Sequence, residues 1–566
     1  MTNRHARAGL AIAAALVAAL APRAARAQVP SGDTLSKPSL PPKQQRADSV
    51  QARIGRDHAM PTLDIGEPFT FDRDALFRTG ALTLGDLLDR IPAVTAFRSG
   101  WIAAPQVVSY GGDFSRVRVF FDGIEMDDLE PRNGVAPDLH TIPIWALQQL
   151  TLVRSANELR IDLRTWEYNL TTPYTRVDVL TGDVNTNLYR AFYGKRYYNG
   201  AGLQVMGEQY GVNDNRTASG GNQLTLLGRY GIARRLWSID ATAMRMNITR
   251  SSTPRFNFQT QTQGLAAGMA LPNYRAANSL GYIRAAVGQE GSGPFVQLVA
   301  STQILREYSA HEDTIAAKQF GFLPDTVDSL ASATQYVATA GFDAYGGRLR
   351  LIDRYRRRLG KGYNSPSATF DLTNRILSLQ AIAEHDAYAG LTRTEAGARF
   401  LPLPFVAVSG WVGQRSPFGE PAPGFFRQPR SRSATLEGGL RLQSAGLWAS
   451  GGVVTRDGSL LDPPTVYDSA FVTVAQGRQT GAIGEVHGPL FWGFNLDVVG
   501  THWKTVVPYA PQNQAHTELR YYTQWLSKFP DGNFSFLFQP GLDWRGRVVF
   551  PTASGTKVAA AAGIYS

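Results

Sequence analysis

The chain has 566 residues, 57 basic against 46 acidic side chains, a formal charge of +11 and no cysteine. The lack of cysteine excludes a disulfide frame, a thiolate metal site and a cysteine nucleophile. Four arginines and no acids fall in the first 27 residues, so the remainder carries +7, modestly basic, and nucleic acid is not an expected partner.

The N-terminus places Arg4 and Arg7 before an apolar run from Ala8 to Ala21 and ends it at Ala25-Arg26-Ala27, the pattern of a secretory signal over residues 1–27. The run is shorter than the ~20 residues a membrane-spanning helix needs. No later uninterrupted apolar run reaches that length, so membrane residence would have to come from strands. Ser31 to Arg56 is rich in Pro, Ser, Lys and Gln, which predicts a flexible periplasmic lead over residues 28–68.

The next segment predicts a helix on a sheet. Thr83 stands as an N-cap, Leu84, Leu87, Leu88 and Ile91 recur at helical spacing, and Pro92 forbids continuation. Val117, Val119 and Phe121 then alternate with Arg116, Arg118 and Phe120 up to Asp122-Gly123, a dipeptide suited to a tight hairpin turn. Leu150, Leu152 and Arg154 suggest a further strand.

In this order, Gly85-Asp86-Leu87-Leu88 with Ile91-Pro92, Val119-Phe120-Phe121-Asp122-Gly123 and Leu152-Val153-Arg154 resemble the plug domain of TonB-dependent outer-membrane receptors. The resemblance gives a plug over residues 69–182, with Gly85, Leu88, Pro92, Asp122, Gly123 and Arg154 as motif positions. Two stretches depart from the family. Val107 to Gly112 stands where an Arg-Gly is usual, and Ser155 to Tyr168 replaces a Gly-rich segment.

The resemblance implies a plug inside a barrel of about 22 strands in the cell outer membrane. It implies import of a scarce nutrient of the siderophore, cobalamin or oligosaccharide class, with no bond made or broken, hence no enzyme and no cofactor. The implied partners are an inner-membrane TonB-type energy transducer, outer-membrane lipid and lipopolysaccharide, and a small-molecule or oligosaccharide ligand, for a monomeric protein. The plug apices, Ser99 to Trp101 and Tyr110 to Phe114, would face the ligand, with Ser99, Trp101, Tyr110 and Phe114 as the named positions. The transducer reads an extended N-terminal segment as an added strand. No such box stands out, and Met60 to Phe71 is the nearest candidate by position. Arg116 and Arg118 would either pair with barrel-wall acids, as plugs in the family do, or remain plain surface charges. The alternative reading is a binding or structural barrel without energy-coupled transport.

From Tyr174 the pattern becomes alternating segments of about ten residues separated by turn residues, a mainly β signature, and residues 183–566 are assigned to a large antiparallel barrel of about 18–22 strands. Trp237, Ile239 and Ala241 oppose Ser238, Asp240 and Thr242, and Leu377, Leu379 and Ala381 oppose Ser378 and Gln380. Such alternation fits a membrane barrel with a wet lumen or a soluble sheet with a dry core. Aromatics at strand ends, polar faces rich in Gln, Ser, Thr and Asn, and the preceding plug favour the membrane barrel. The chain closes on KVAAAAGIYS without a terminal aromatic strand, which predicts an unpaired barrel edge or a C-terminally incomplete chain.

Glu384-His385-Asp386 and His311-Glu312-Asp313 cannot converge on one ion from a strand, because successive side chains point to opposite faces. No HExxH pairing, nucleophile elbow or phosphate loop is present. Arg354 to Lys361 is the densest basic run, read as a solvated loop or, less simply, as a contact for an anionic ligand.

Overall fold

The computed structural model describes residues 53–565 except 99–105, 130–137, 264–269, 309–328, 464–470 and shorter interruptions. The signal, the lead before residue 53, Ser99, Trp101 and His311 to Asp313 therefore lie outside the described residues.

The plug is built as its local sequence dictates. Strand β1 (Thr70–Asp72) runs into α1 (Arg73–Arg78), whose N-cap Asp72 accepts a 2.7 Å bond from the Ala75 N–H. Helix α2 (Leu84–Leu88) starts at Thr83, whose N–H donates to the Asp86 carboxylate at 2.9 Å. Leu84, Leu87, Leu88 and Ile91 are fully buried, and the helix stops before Pro92. A Cβ at Gly85 would meet the Gln106 side-chain amide, which would have to move aside.

Strands β2 (Val94–Arg98) and β3 (Gln106–Tyr110) form their own antiparallel pair. Strands β4 (Val117–Phe121), β5 (Ile124–Glu125), β6 (Leu147–Arg154) and β7 (Leu159–Thr165) join β1 in a five-stranded sheet of order β1-β6-β7-β4-β5, with only β4 and β7 parallel. Asp122 and Gly123 make the β4–β5 turn with φ of 52° and 84°.

Around this unit, 21 described strand segments from Tyr174–Thr181 onward close into a barrel. Phe536–Phe538 and Gly541–Arg545 follow one another along the same partner, Asn513–Thr523, and act as one interrupted stave. The direction of alternation identifies the solvent outside. Along Trp237–Arg250, Trp237 and Ile239 are exposed while Ser238, Asp240 and Thr242 are buried. A soluble sheet would bury the first set, so the apolar outer face and polar inner face belong to a transmembrane barrel.

Three expectations change. Tyr174–Thr181, inside the expected plug boundary, is the first barrel strand, as its alternation allowed. The open edge is closed by Gly563–Tyr565, which lies between Gly541–Arg545 and Tyr174–Thr181; three residues are too few to display a period. Arg354 to Arg358 ends a strand, Gly347–Arg358, and is no loop: Arg354 and Arg356 point inward and are buried, while Tyr355 and Arg357 point outward. Only Leu359-Gly360 makes the turn, at φ 49° and 79°.

Candidate functional site

The plug meets the barrel wall through buried ion clusters, and three of them are centred on plug residues. At the end of the barrel with short turns, Asp122 accepts from Arg56 at 3.2 Å, Arg229 at 3.1 Å, Tyr282 at 2.5 Å and the Thr165 hydroxyl at 2.7 Å. Burial alone would raise the Asp122 carboxyl, but Arg56, Arg229 and Arg284 together hold it well below the usual range. Farther up, Arg118 holds Glu125 at 2.8 Å and Glu158 at 3.2 Å within the plug, and Glu384 on the wall at 2.6 Å. Arg393 ties Glu384 (2.9 Å) to Asp386 (2.7 Å). The third cluster places Arg154 among Asp64 (3.1 Å), Glu437 (2.9 Å) and Glu485 (3.0 Å). These are charge-assisted contacts out of reach of water, each sensitive to loss of one partner.

Residues 53–66, expected to be loose, instead form a strap along the inner wall at the short-turn end. The strap has no regular secondary structure, so its backbone is satisfied by wall side chains. The Gly55 N–H donates to Ser238 Oγ (2.8 Å) and the Asp57 N–H to Gln297 Oε1 (3.1 Å). The carbonyls of Ala59, Leu63 and Asp64 accept from Arg348 (3.0 Å), Ser409 (2.6 Å) and Arg399 (3.2 Å), and that of Pro61 from Gln380. Arg56–Asp122, Asp57–Arg350 (2.6 Å) and Asp64–Arg154 add ion pairs, and Ile54, Met60, Leu63 and Ile65 are buried. The candidate box Met60 to Phe71 thus lies partly in the strap, and Thr70 and Phe71 pair with Thr151 and Leu150.

At the end with long loops, residues 457–463, 471–478, 504–512 and 546–553 fold over the plug apex. The Tyr509 N–H donates to Val549 O (3.1 Å) and the Val472 N–H to Pro551 O (3.2 Å). Phe471 stacks on Phe550 with centroids 5.0 Å apart, Phe97 meets Phe550 at 6.2 Å, and Phe97 meets Phe114 at 5.6 Å. Beneath them Arg456 donates to Tyr110 O (3.1 Å) in the space that a side chain at Gly111 would occupy. Asp462 is buried in the first loop with neither carboxylate oxygen hydrogen-bonded. Burial and the nearby Asp113 push its carboxyl up to about 8, against a smaller pull from Arg415.

The sequence profile described as TonB-dependent Receptor Plug Domain matches residues 67–163. No curated protein sequence matches the chain. Among solved structures, the siderophore receptor PirA from Acinetobacter baumannii superposes with a TM-score of 0.63 at 9% identity, covering 88% of this chain and 90% of that one. A mutant of the ferric enterobactin receptor PfeA from Pseudomonas aeruginosa gives 0.62 at 10% identity, with 88% and 89% covered. FpvA of P. aeruginosa bound to heterologous pyoverdines gives 0.57 at 10%, with 89% and 80% covered. The chain carries a TonB-dependent receptor plug domain and has the plug-and-barrel fold of these solved receptors.

Within this TonB-dependent receptor fold the motif positions divide by role. Gly85, Leu88 and Pro92 shape α2 and its packing; Asp122-Gly123 and Arg154 belong to two different ion clusters, so the six do not form one site. Tyr110 and Phe114 are buried: the Tyr110 hydroxyl donates to Ser155 O at 2.9 Å and Phe114 packs under the loop aromatics. Arg118 pairs with the wall acid Glu384, whereas Arg116 pairs with Asp113 inside the plug at 2.9 Å. Glu384 and Asp386 face inward, and His385 points away from them onto Phe418 with ring centroids 4.1 Å apart. Sequence reasoning missed Arg56, Glu437 and Glu485. Alternation could have placed the two wall acids on the inner face, but nothing local marks Arg56.

Proposed function

We propose that this protein sits in the cell outer membrane and imports a scarce nutrient of the siderophore, cobalamin or oligosaccharide class, driven by a TonB-type transducer that acts on the N-terminal segment. The observation that carries the reading is a plug tied to the wall by buried ion clusters and a strap, beside an apolar contact layer that includes the wall residues Phe192, Leu227 and Met244. Ion pairs and single hydrogen bonds can be exchanged for water one at a time as a plug shifts. The plug profile and the siderophore receptors among the structural neighbours agree with it. The ligand would enter at the long-loop end, over Tyr110 and Phe114, after the aromatic cover opens.

A second reading, binding without energy-coupled transport, draws on one feature: Met60 to Phe71 is tied to the wall and to β6 rather than free to pair with a transducer. Deleting Met60 to Phe71 separates the two. Cells would be given radiolabelled ferric siderophores, cobalamin and maltooligosaccharides under the matching limitation. Energy-dependent uptake of one probe, lost in the deletion while surface binding persists, supports import. Binding with no uptake by the intact chain selects the second reading.

A further inference from the structure

One stave of the wall carries a file of arginines. Along Gly347–Arg358, Arg354 and Arg356 are buried on the inner face and Arg358 follows on the same face, so their guanidinium groups descend from the long-loop end in steps of about 7 Å. Buried like charges in a row are costly unless each is paired. The flanking staves place neutral residues at that level: Arg354 lies opposite Val337 and Ser365, and Arg356 opposite Gln335 and Tyr363. A wall acid, Glu384, reaches Arg354 at 3.6 Å but is shared with Arg393 at 2.9 Å.

The compensating charge comes from the plug. Glu125 pairs with Arg354 at 3.2 Å and also with Arg356, and Asp127 pairs with Arg356 at 3.4 Å. Both acids stand on or just past β5, the two-residue strand at one edge of the plug sheet. Plug and wall are not fully packed there. A cavity of about 60 Å³, large enough to hold water, is lined by Asp127, Arg356, Arg358, Tyr388 and Phe425 among others. At its outer end Arg358 donates to the Tyr388 hydroxyl at 2.9 Å.

We propose, on the import reading above, that this file is an anion track: when the plug shifts, Glu125 and Asp127 leave with it, and Arg354, Arg356 and Arg358 face the passage and select a ligand that carries negative charge. Rows of arginine line pores that pass anions, and a lining of one sign concentrates the opposite ion. The cargo is thereby narrowed from three ligand classes to acidic ones, such as a negatively charged ferric siderophore.

The absence of native cysteine permits a test that needs neither cargo nor transducer. Val337→Cys places a thiol opposite Arg354, buried while the plug is docked. In the full chain, urea would be raised until the thiol reacts, with gel mobility before and after boiling confirming that the barrel is still folded. Anionic sulfonatoethyl and cationic trimethylammonioethyl methanethiosulfonate would be compared, each rate divided by its rate with free cysteine in the same buffer. The anionic reagent should be favoured by about tenfold. That preference should vanish when Arg354→Gln and Arg356→Gln are added and persist when both are changed to Lys. Equal normalised rates, a preference unchanged by the Gln pair, or a thiol silent until the barrel itself unfolds would overturn the proposal. In the uptake panel above, energy-dependent import of cobalamin or a maltooligosaccharide would overturn the track and leave import standing. Anion preference at the thiol with no probe imported would support the track and count against import.

Discussion

Asp122 joins local and long-range order in one side chain. Its backbone makes the β4–β5 turn, and its carboxylate gathers Arg56 from the strap with Arg229 and Tyr282 from the wall. Asp122→Asn keeps a residue that tolerates positive φ and removes only the charge. It should weaken plug docking by about 3–5 kcal/mol, since three buried guanidinium groups lose a common partner. Hydrogen exchange of the β4 and β7 amides in increasing urea would show this as an earlier opening; an unchanged midpoint would count against the cluster as a latch. Asp462 should act through pH. Its carboxyl lies near 3.8 when free and near 8 when its loop is docked under the conditions set by burial, Asp113 and Arg415. The docked form therefore binds a proton that the free form releases, so docking is strongest below pH 4 and weakens as pH rises toward 8. Corrected for intrinsic rates, amide exchange at residues 459–462 should speed up over that range in the native chain and stay level in Asp462→Asn. The same slope in both would exclude Asp462 as its source.

At the scale of elements, what could be read from the sequence was what neighbours in sequence decide. Helix α2 has its N-cap, apolar spacing and proline stop within ten residues, the Asp122-Gly123 turn is a dipeptide property, and barrel strands display their period directly. The strap was hidden because its order comes from elsewhere: Gly55 finds Ser238, Pro61 finds Gln380 and Leu63 finds Ser409, each more than 180 residues away. Its composition alone cannot distinguish a free lead from one whose backbone is satisfied by distant side chains. The aromatic cover over Tyr110 and Phe114 was hidden for the same reason. The strap's role is open to a covalent check. A Cβ built at Gly55 would lie 3.0 Å from the Ala286 Cβ, nearer than the roughly 3.5–4.5 Å of a disulfide, so a bond there requires the strap to give by about half an ångström. Oxidised Gly55→Cys/Ala286→Cys should leave the barrel heat-modifiable and surface binding intact while stopping uptake, and reductant should restore uptake. Undiminished uptake with the bond formed would remove strap release from the mechanism.

For the whole molecule, the barrel and its contents follow opposite rules. The outer face is held by lipid and needs apolar side chains such as Trp237, Ile239 and Leu298; the inner face is held by the plug and uses Ser238, Asp240, Glu384 and Glu437. The inner face also packs Phe192, Met206 and Leu227 against the plug, so a shift of the plug would have to separate apolar as well as ionic contacts. The plug fills the closed barrel, and under the proposed function a pore would exist only when it moves. Conductance across a planar bilayer tests this most directly, comparing the full chain with one lacking residues 53–165, both first shown to be heat-modifiable. The full chain should insulate and the shortened chain should conduct steadily, with a pore open to small ions. Equal leakage through both, or a folded shortened barrel that does not conduct, would contradict a barrel closed by a removable plug.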